Sequence, residues 1–470
     1  MKALILGNNK INPEVAGILA EDGIGAEILA DISGMVKCSG EPGDYTIITK
    51  DGTEHYAAVI ITEPPRYTGL TADGETSVCL ADEAQTGQLF NPKRLDKILI
   101  LLDYGEETPE YLAAEAVRLA TRLAKSKKDV VFLSKTVKDA YAGGERSYRA
   151  ARDAGVSFVK YESASVRHDA EADVFTIEAY DGVFETKLQS PFLVTAVRGE
   201  TAGMQAALKK LRLRRSTKDG INDDRFFLHG AMTLRRGIYY LNPALTASGE
   251  EQNLKEIMTP LMEDLTAVSA DGYVREIIRG MTIPEVDPNK CAFCYSCFRA
   301  CPHGALDPDN AAAAMKVIEP LCQACGICEA ICPGQAISRK GAETAPAAGG
   351  KCKIYLCENG AAQAFDETLP LLGDRGRLID SARIACGGSV GAEMVAGDFK
   401  DYDTVVVACC VGDACRHMDG DRRACRQMGR VANSLNKAGL GSKRARVLHC
   451  SHAMKDVLKD QLTAILEELN

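Results

Sequence analysis

Cysteine dominates the chemistry open to this chain. Eight of its eighteen cysteines fall in two copies of one motif, Cys291-x2-Cys294-x2-Cys297-x3-Cys301-Pro302 and Cys322-x2-Cys325-x2-Cys328-x3-Cys332-Pro333. Three thiolates spaced two residues apart can wrap three corners of an iron–sulfur cube, while the fourth, followed by proline, is carried away to cap a second cube. The spacing assigns Cys291, Cys294, Cys297 and Cys332 to one [4Fe–4S] cluster, and Cys322, Cys325, Cys328 and Cys301 to another. Each cysteine of the first copy lies 31 residues before its counterpart, and Cys301-Pro-His-Gly-Ala-Leu is echoed by Cys332-Pro-Gly-Gln-Ala-Ile, so the segment is an internal duplication.

This is the pattern of a bacterial-type two-cluster ferredoxin module, and it predicts electron transfer. A zinc ribbon keeps two Cys-x2-Cys hairpins about 15 to 20 residues apart and lacks the third cysteine and the trailing Cys-Pro. Disulfides fit no better, because cysteines this dense suit a metal and the opening Met-Lys-Ala-Leu-Ile-Leu-Gly has no secretory pattern. A reducing, cytoplasmic setting is expected. Phe293, Tyr295 and Phe298, interleaved with the ligands, are expected to form a dry shell; His303 is expected to be a surface turn residue, the alternative being that it tunes a cluster.

A second set of cysteines comes later in the chain: Cys352, Cys357, Cys386, Cys409, Cys410, Cys415, Cys425 and Cys450. Several come directly after apolar runs, and loops at the carboxyl ends of parallel strands are where an α/β sheet assembles its sites. Four thiolates make a [2Fe–2S] centre, here assigned to Cys357, Cys386, Cys410 and Cys415, with Cys352 as the substitute. The alternatives are inert core thiols or a zinc site.

The elements that must position these groups read as α/β. Strands are predicted at 3–7, 26–30 and 57–62, with a helix at 13–22 ended by Gly23. A second unit opens with a strand at 97–103, then a helix capped by Thr108 with Pro109 in its first turn, then a strand at 130–133. Alternation over 173–188 around Asp181-Gly182 predicts a hairpin. After a small, flexible linker at 341–350, strands are expected at 353–356, 404–408 and 447–449, with a last helix over 452–469.

At 470 residues the chain has room for two or three domains, and 46% apolar with 26% charged residues is the balance of a soluble globular protein. No apolar run approaches the roughly 20 residues of a spanning helix, so no direct membrane span is expected. A net charge of −9 argues against nucleic acid. The basic run at 208–215 is read as a solvated face, with a docking patch as its alternative. Ser/His/Asp, Walker-loop and paired-carboxylate arrangements are missing from the sequence, and no catalytic residue is assigned.

The stretch from Cys357 to Cys415, with Val-Ala-Cys-Cys-Val-Gly-Asp-Ala-Cys-Arg-His, resembles the delta subunit of the methyl-viologen-reducing hydrogenase. The resemblance implies a small [2Fe–2S] protein linking a hydrogenase or formate dehydrogenase to heterodisulfide reductase. Upstream, Tyr141-Ala-Gly-Gly-Glu-Arg-Ser-Tyr148 and the residues through Phe158 resemble the flavoprotein A subunit of heterodisulfide reductase. An A-like part fused to a delta-like part is similar to the B subunit of the quinone-interacting membrane-bound oxidoreductase.

The resemblance implies a flavoprotein-reductase-like, Rossmann-type α/β domain over 1–285 with a second unit inserted at about 97–200, a 2[4Fe–4S] module over 286–340 and an α/β [2Fe–2S] domain over 351–470. It further implies an iron–sulfur electron-transfer subunit of an anaerobic oxidoreductase complex, with a hydrogenase, formate dehydrogenase, flavoprotein or heterodisulfide-reductase-like subunits as partners. The departure lies in the flavin half. In place of Gly-x-Gly-x-x-Gly the chain has Gly7-Asn8-Asn9-Lys10-Ile11-Asn12-Pro13, and the later glycine-rich stretch is replaced by Gly237-Ile-Tyr-Tyr-Leu-Asn-Pro243. FAD is therefore expected to be absent; an irregular turn that still admits it, in an electron-bifurcating subunit, is one alternative, and an iron–sulfur redox sensor or scaffold is another.

Overall fold

The computed structural model describes residues 1–63, 66–91, 97–136, 139, 143–199, 202–213, 231–241, 254–269, 282–339, 349–412, 414–440 and 444–469. Most of the linker predicted at 341–350 lies outside the described residues, as do the ends of the basic run, of Gly237–Pro243 and of the segment from Tyr141. The chain forms two compact units, the first within residues 1–266 and the second comprising residues 234–236 and those from 267 on.

The first unit holds two parallel sheets built to one plan. In the first, β1 (Lys2–Leu6), α1 (Asn12–Glu21) and β2 (Gly25–Leu29) form a parallel crossover. An antiparallel meander of β3 (Met35–Glu41), β4 (Asp44–Thr49) and β5 (Thr53–Tyr56) comes next, and β6 (Ala58–Ile61) returns beside β1. The chain then passes through β7 (Val78–Cys79) to β8 (Lys97–Leu101), α2 (Glu110–Lys125), β9 (Asp129–Ser134), α3 (Gly144–Asp153) and β10 (Ser157–Lys160). A second meander, β11 (Ser163–Asp169), β12 (Val174–Tyr180) and β13 (Glu185–Ser190), leads to β14 (Phe192–Thr195), which returns beside β8. After α4 (Ala202–Lys210), β15 (Ile238–Tyr240) closes the first sheet against β6. The sheet orders are β15-β6-β1-β2 and β7-β14-β8-β9-β10. Strands buried on both faces must be apolar throughout, which is why Ala58–Ile61 and residues 98–101 read as continuous runs.

Helix α2 presents Leu112, Ala116, Leu119, Ala120 and Leu123 to the second sheet, an apolar stripe at helical spacing. Its start differs from expectation. Pro109 itself occupies the N-cap, and Thr108 is engaged by Asp103: the Asp103 N–H donates to Thr108 Oγ1 at 2.8 Å and the Thr108 N–H donates to Asp103 Oδ1 at 2.8 Å. The hairpin forms at Asp181, whose Oδ1 accepts the N–H groups of Val183 and Phe184. In the basic run, Leu211 is fully buried and Lys210 donates to the Ser33 carbonyl at 2.7 Å, so those two residues are structural.

In the second unit β16 (Glu285–Val286), α5 (Ser296–Ala300), the β17 (Leu306–Asp309) and β18 (Ala314–Val317) hairpin, α6 (Ile327–Ile331) and β19 (Ile337–Ser338) form a small module in which β16 pairs with β19. Beyond it lies a four-stranded parallel sheet made of β20 (Cys352–Cys357), β21 (Ile379–Ile384), β22 (Thr404–Cys409) and β23 (Arg444–His449), with α7 (Gly420–Lys437) and α8 (Lys455–Glu467) packed on it. Its order is β21-β20-β22-β23. The chain leaves β20 to opposite sides, so a crevice opens beyond the carboxyl ends of β20 and β22. Val405, Val406 and Val407 of β22 are fully buried, each stabilising the fold by about 1.5–3 kcal/mol relative to an exposed side chain.

Candidate metal centres

The small module repeats itself down to its backbone. Left-handed residues fall at Phe293, Tyr295 and Gly304 in the first copy and at Ala324, Gly326 and Gln335 in the second, each pair 31 positions apart. Pointing three thiols of a Cys-x2-Cys-x2-Cys run at one centre requires the chain to curl back on itself, and left-handed residues between the cysteines supply that curl.

Cys291, Cys294, Cys297 and Cys332 line one cavity together with Val286, Met315 and Ile337. Cys301, Cys322, Cys325 and Cys328 line another with Leu306, Val317 and Ile327. The fourth cysteine of each copy has crossed to the other copy's group. Sulfur-directed hydrogen bonds repeat as well: the Ala305 N–H donates to Cys301 Sγ at 3.3 Å and the Ala336 N–H to Cys332 Sγ at 3.2 Å.

Burial disfavours charge on the enclosed sulfurs of the module. It pushes the Cys297 thiol up to about 11, with the charges of Cys332, Cys291 and Cys294 adding to the effect. Burial and then Cys301 push Cys325 up to about 12, and Cys328 is raised well above the usual range by burial and then Cys325. Cys294, the exposed member, is lowered by its hydrogen bond to the Ser296 hydroxyl at 3.3 Å. A polycationic core between the sulfurs removes the penalty that burial places on the enclosed members, so the donors fit a metal cluster. Phe293, Tyr295 and Phe298 are half-buried around Cys294, with successive ring centroids 4.9 and 5.8 Å apart.

The second cysteine set converges at the crevice of the C-terminal sheet. Cys357 ends β20, Cys410 comes directly after β22, Cys386 lies two residues beyond β21, and Cys415 lies in the loop after β22. The Cys357 and Cys410 sulfurs are 3.7 Å apart, and Cys415 is hydrogen-bonded to both Cys386 and Cys410. All four are buried. Hydrogen bonds from the neighbouring thiols hold Cys357 and Cys415 below the ordinary thiol range and drive Cys410 and Cys386 above it. Four sulfurs sharing protons in this way are a donor set suited to a metal centre.

Cys352 does not join them. It stands at the opposite end of β20, five residues and about 17 Å away along the strand, in an apolar core with Phe365 and Leu458. Cys450 shares that core, and Cys409 points into the core on the other face of the sheet. Gly420 escaped the sequence reading: a Cβ there would lie 2.2 Å from Cys386 Sγ and 3.1 Å from Cys415 Sγ. The signal available was Asp419-Gly420 at the start of a helical pattern.

The small module and the C-terminal sheet meet through their sulfurs. Ala300, Cys325 and Ile327 pack in one buried cluster with Cys357, Cys386, Cys410 and Cys415. His303 is at this junction and not on the surface as expected, being 1% exposed. Its position beside Cys301 conceals, in sequence, a partner 114 residues away: His303 Nε2 lies 2.9 Å from His417 Nδ1. Burial lowers both imidazoles, His303 to about 3 and His417 to about 4, so both are neutral at pH 7.

The turn after β1 does not fit a diphosphate. The Asn8 N–H donates to Glu63 Oε2 at 3.1 Å, and the Ile11 N–H donates to Asn9 Oδ1 at 3.2 Å. Asn12 Nδ2 donates to the Gly7 carbonyl at 2.7 Å while Thr62 Oγ1 donates to Asn12 Oδ1 at 2.7 Å. Backbone donors that a phosphate would need are thus taken by the chain's own side chains, and the Glu63 carboxylate stands where an anion would lie. The corresponding turn after β8 is closed in the same manner, since Asp103 also accepts the Lys135 N–H at 3.0 Å. The described part of Gly237–Pro243 is the buried strand β15.

Comparison with known proteins finds two families in the second half of the chain. Residues 283–333 match the 4Fe-4S dicluster domain family, and residues 353–470 match the family described as methyl-viologen-reducing hydrogenase, delta subunit. The chain therefore carries an iron–sulfur dicluster domain and a hydrogenase-delta-like domain. No curated protein matches. Solved structures similar to the chain include T. acidophilum thioredoxin reductase (13% identity, 57% of this chain and 98% of that one, TM-score 0.39). The thioredoxin reductases of Lactococcus lactis (14%, 57% and 96%, 0.37) and Streptococcus pyogenes (16%, 58% and 96%, 0.30) are others. Among the described residues, no helix is long and apolar enough to cross a membrane.

Proposed function

We propose that this protein is an electron-transfer subunit of an anaerobic, cytoplasmic oxidoreductase complex of the heterodisulfide-reductase type, relaying electrons between a partner hydrogenase or dehydrogenase and a terminal reductase. Three sets of four cysteines hold its carriers: Cys291, Cys294, Cys297 and Cys332; Cys301, Cys322, Cys325 and Cys328; and Cys357, Cys386, Cys410 and Cys415. Bound there, two [4Fe–4S] clusters and one [2Fe–2S] cluster supply one-electron chemistry.

The observation that carries the reading is the packing of Cys325, from the second cubane group, against the C-terminal group, while the first group reaches solvent at Cys294. The protein's residues thereby set an order from exposed to buried. The aromatic rings beside Cys294 shield part of the first group from water, and the N–H donors at Ala305 and Ala336 favour negative charge on sulfur. FAD is left out of the reading because Glu63 and Asn9 occupy the donors it would need.

Iron analysis of anaerobically purified protein tests this. About ten iron atoms per chain are expected, with little zinc. C386S should lower the count to about eight, whereas C352S should leave it unchanged. A wild-type count of about eight removes the C-terminal centre and leaves the two cubanes.

A further inference from the structure

The two histidines at the junction occupy matching places. His303 lies two residues after Cys301, and His417 two residues after Cys415. They are 1% and 4% exposed, and their hydrogen bond closes a path from Cys301 through Pro302 and His303 to His417, Arg416 and Cys415. One ring nitrogen from each and Cys325 Sγ all lie within 4.8 Å of one another.

The tautomers are set by the partners. The Leu234 carbonyl, 3.0 Å from His303 Nδ1, can only accept, so that nitrogen carries the proton. His303 Nε2 is then an acceptor, and His417 Nδ1–H donates to it. Two imidazoles buried in a sulfur-lined core cost more to desolvate than the apolar side chains that could fill the same space, and satisfied hydrogen bonds only offset that cost. Gap-filling does not account for them.

We propose that His303 and His417 are positioning residues that couple the second cubane group to the C-terminal cysteine group. The pair forms a water-free, hydrogen-bonded bridge through which one electron crosses. This rests on the reading that Cys357, Cys386, Cys410 and Cys415 hold a [2Fe–2S] centre. In each crossing the centre on one side is oxidised by one electron and the other reduced by one. Both imidazoles keep their protons, and no bond is made or broken. The electron comes from a low-potential one-electron donor acting at the exposed Cys294 side, or leaves by the same way.

The test uses the full chain, loaded anaerobically with iron and sulfide, in wild-type, H417L and H417Q forms. Photogenerated methyl viologen radical supplies electrons, and the absorbance of the [2Fe–2S] centre is followed together with iron content. In H417L, with iron unchanged, its reduction should slow by about 10- to 100-fold. H417Q, which keeps an N–H donor, should stay within about threefold of wild type. Where H417L itself loses iron, H303L read against H303Q decides the same question. Leucine variants with full iron and wild-type rates overturn the proposal alone. A wild-type protein with about eight irons overturns both it and the reading beneath it.

Discussion

At the scale of single residues, the crossing of Cys301 and Cys332 is the feature with the sharpest consequence. Because Cys332 lines the cavity of Cys291, Cys294 and Cys297, C332S should damage that centre and spare the one held by Cys322, Cys325 and Cys328. Electron paramagnetic resonance of the reduced protein separates the two outcomes, since self-contained motifs would lose the second signal. Gly420 makes a different demand. G420A forces a methyl group into Cys386 Sγ, so it should abolish the C-terminal centre, lowering iron by about two atoms and stability by about 1–3 kcal/mol. Iron analysis and denaturant unfolding measure both. The cysteines were legible because metal chemistry imposes spacing on sequence. Gly420, His303 and His417 were not, because each owes its role to a contact made across more than thirty residues, and nothing local encodes such a contact.

At the scale of elements, the central strands of the sheets appear within one or two residues of their predicted bounds, since a strand buried on both faces must be a continuous apolar run, whereas the edge strand expected at 447–449 begins three residues earlier, at Arg444. The turns at the strand ends were harder to read. Thr108 has the composition of a helix cap but bonds to Asp103, because the sharp turn at Asp103, with φ of 62°, brings its carboxylate round first. Glu63 acts likewise at the turn after β1 and is invisible to a glycine-counting argument. The purified subunit should accordingly release less than one FAD per chain on acid denaturation, and its visible spectrum should be entirely of iron–sulfur type. One tightly bound FAD would show that the turn can open and would restore a flavoenzyme reading.

At the scale of the whole molecule, the two units differ in what holds them together. The first has broad apolar cores around its sheets, rich in Ile, Leu, Val and Tyr. The apolar cores of the 282–339 module are small and interleaved with the cysteines, so metal binding there contributes folding free energy. Removing iron with a chelator should abolish amide-exchange protection across 282–339 while β1, β6, β8 and β9 keep theirs. Equal loss everywhere would indicate a single cooperative structure. Of the twelve sulfurs in the three groups, Cys294 alone is exposed, and those nearest the C-terminal sheet are the most deeply enclosed. The opening that admits an electron also admits dioxygen, so the protein carries a built-in order of spoilage: in air the outermost centre decays first, and the inner ones outlive the entrance that makes them useful.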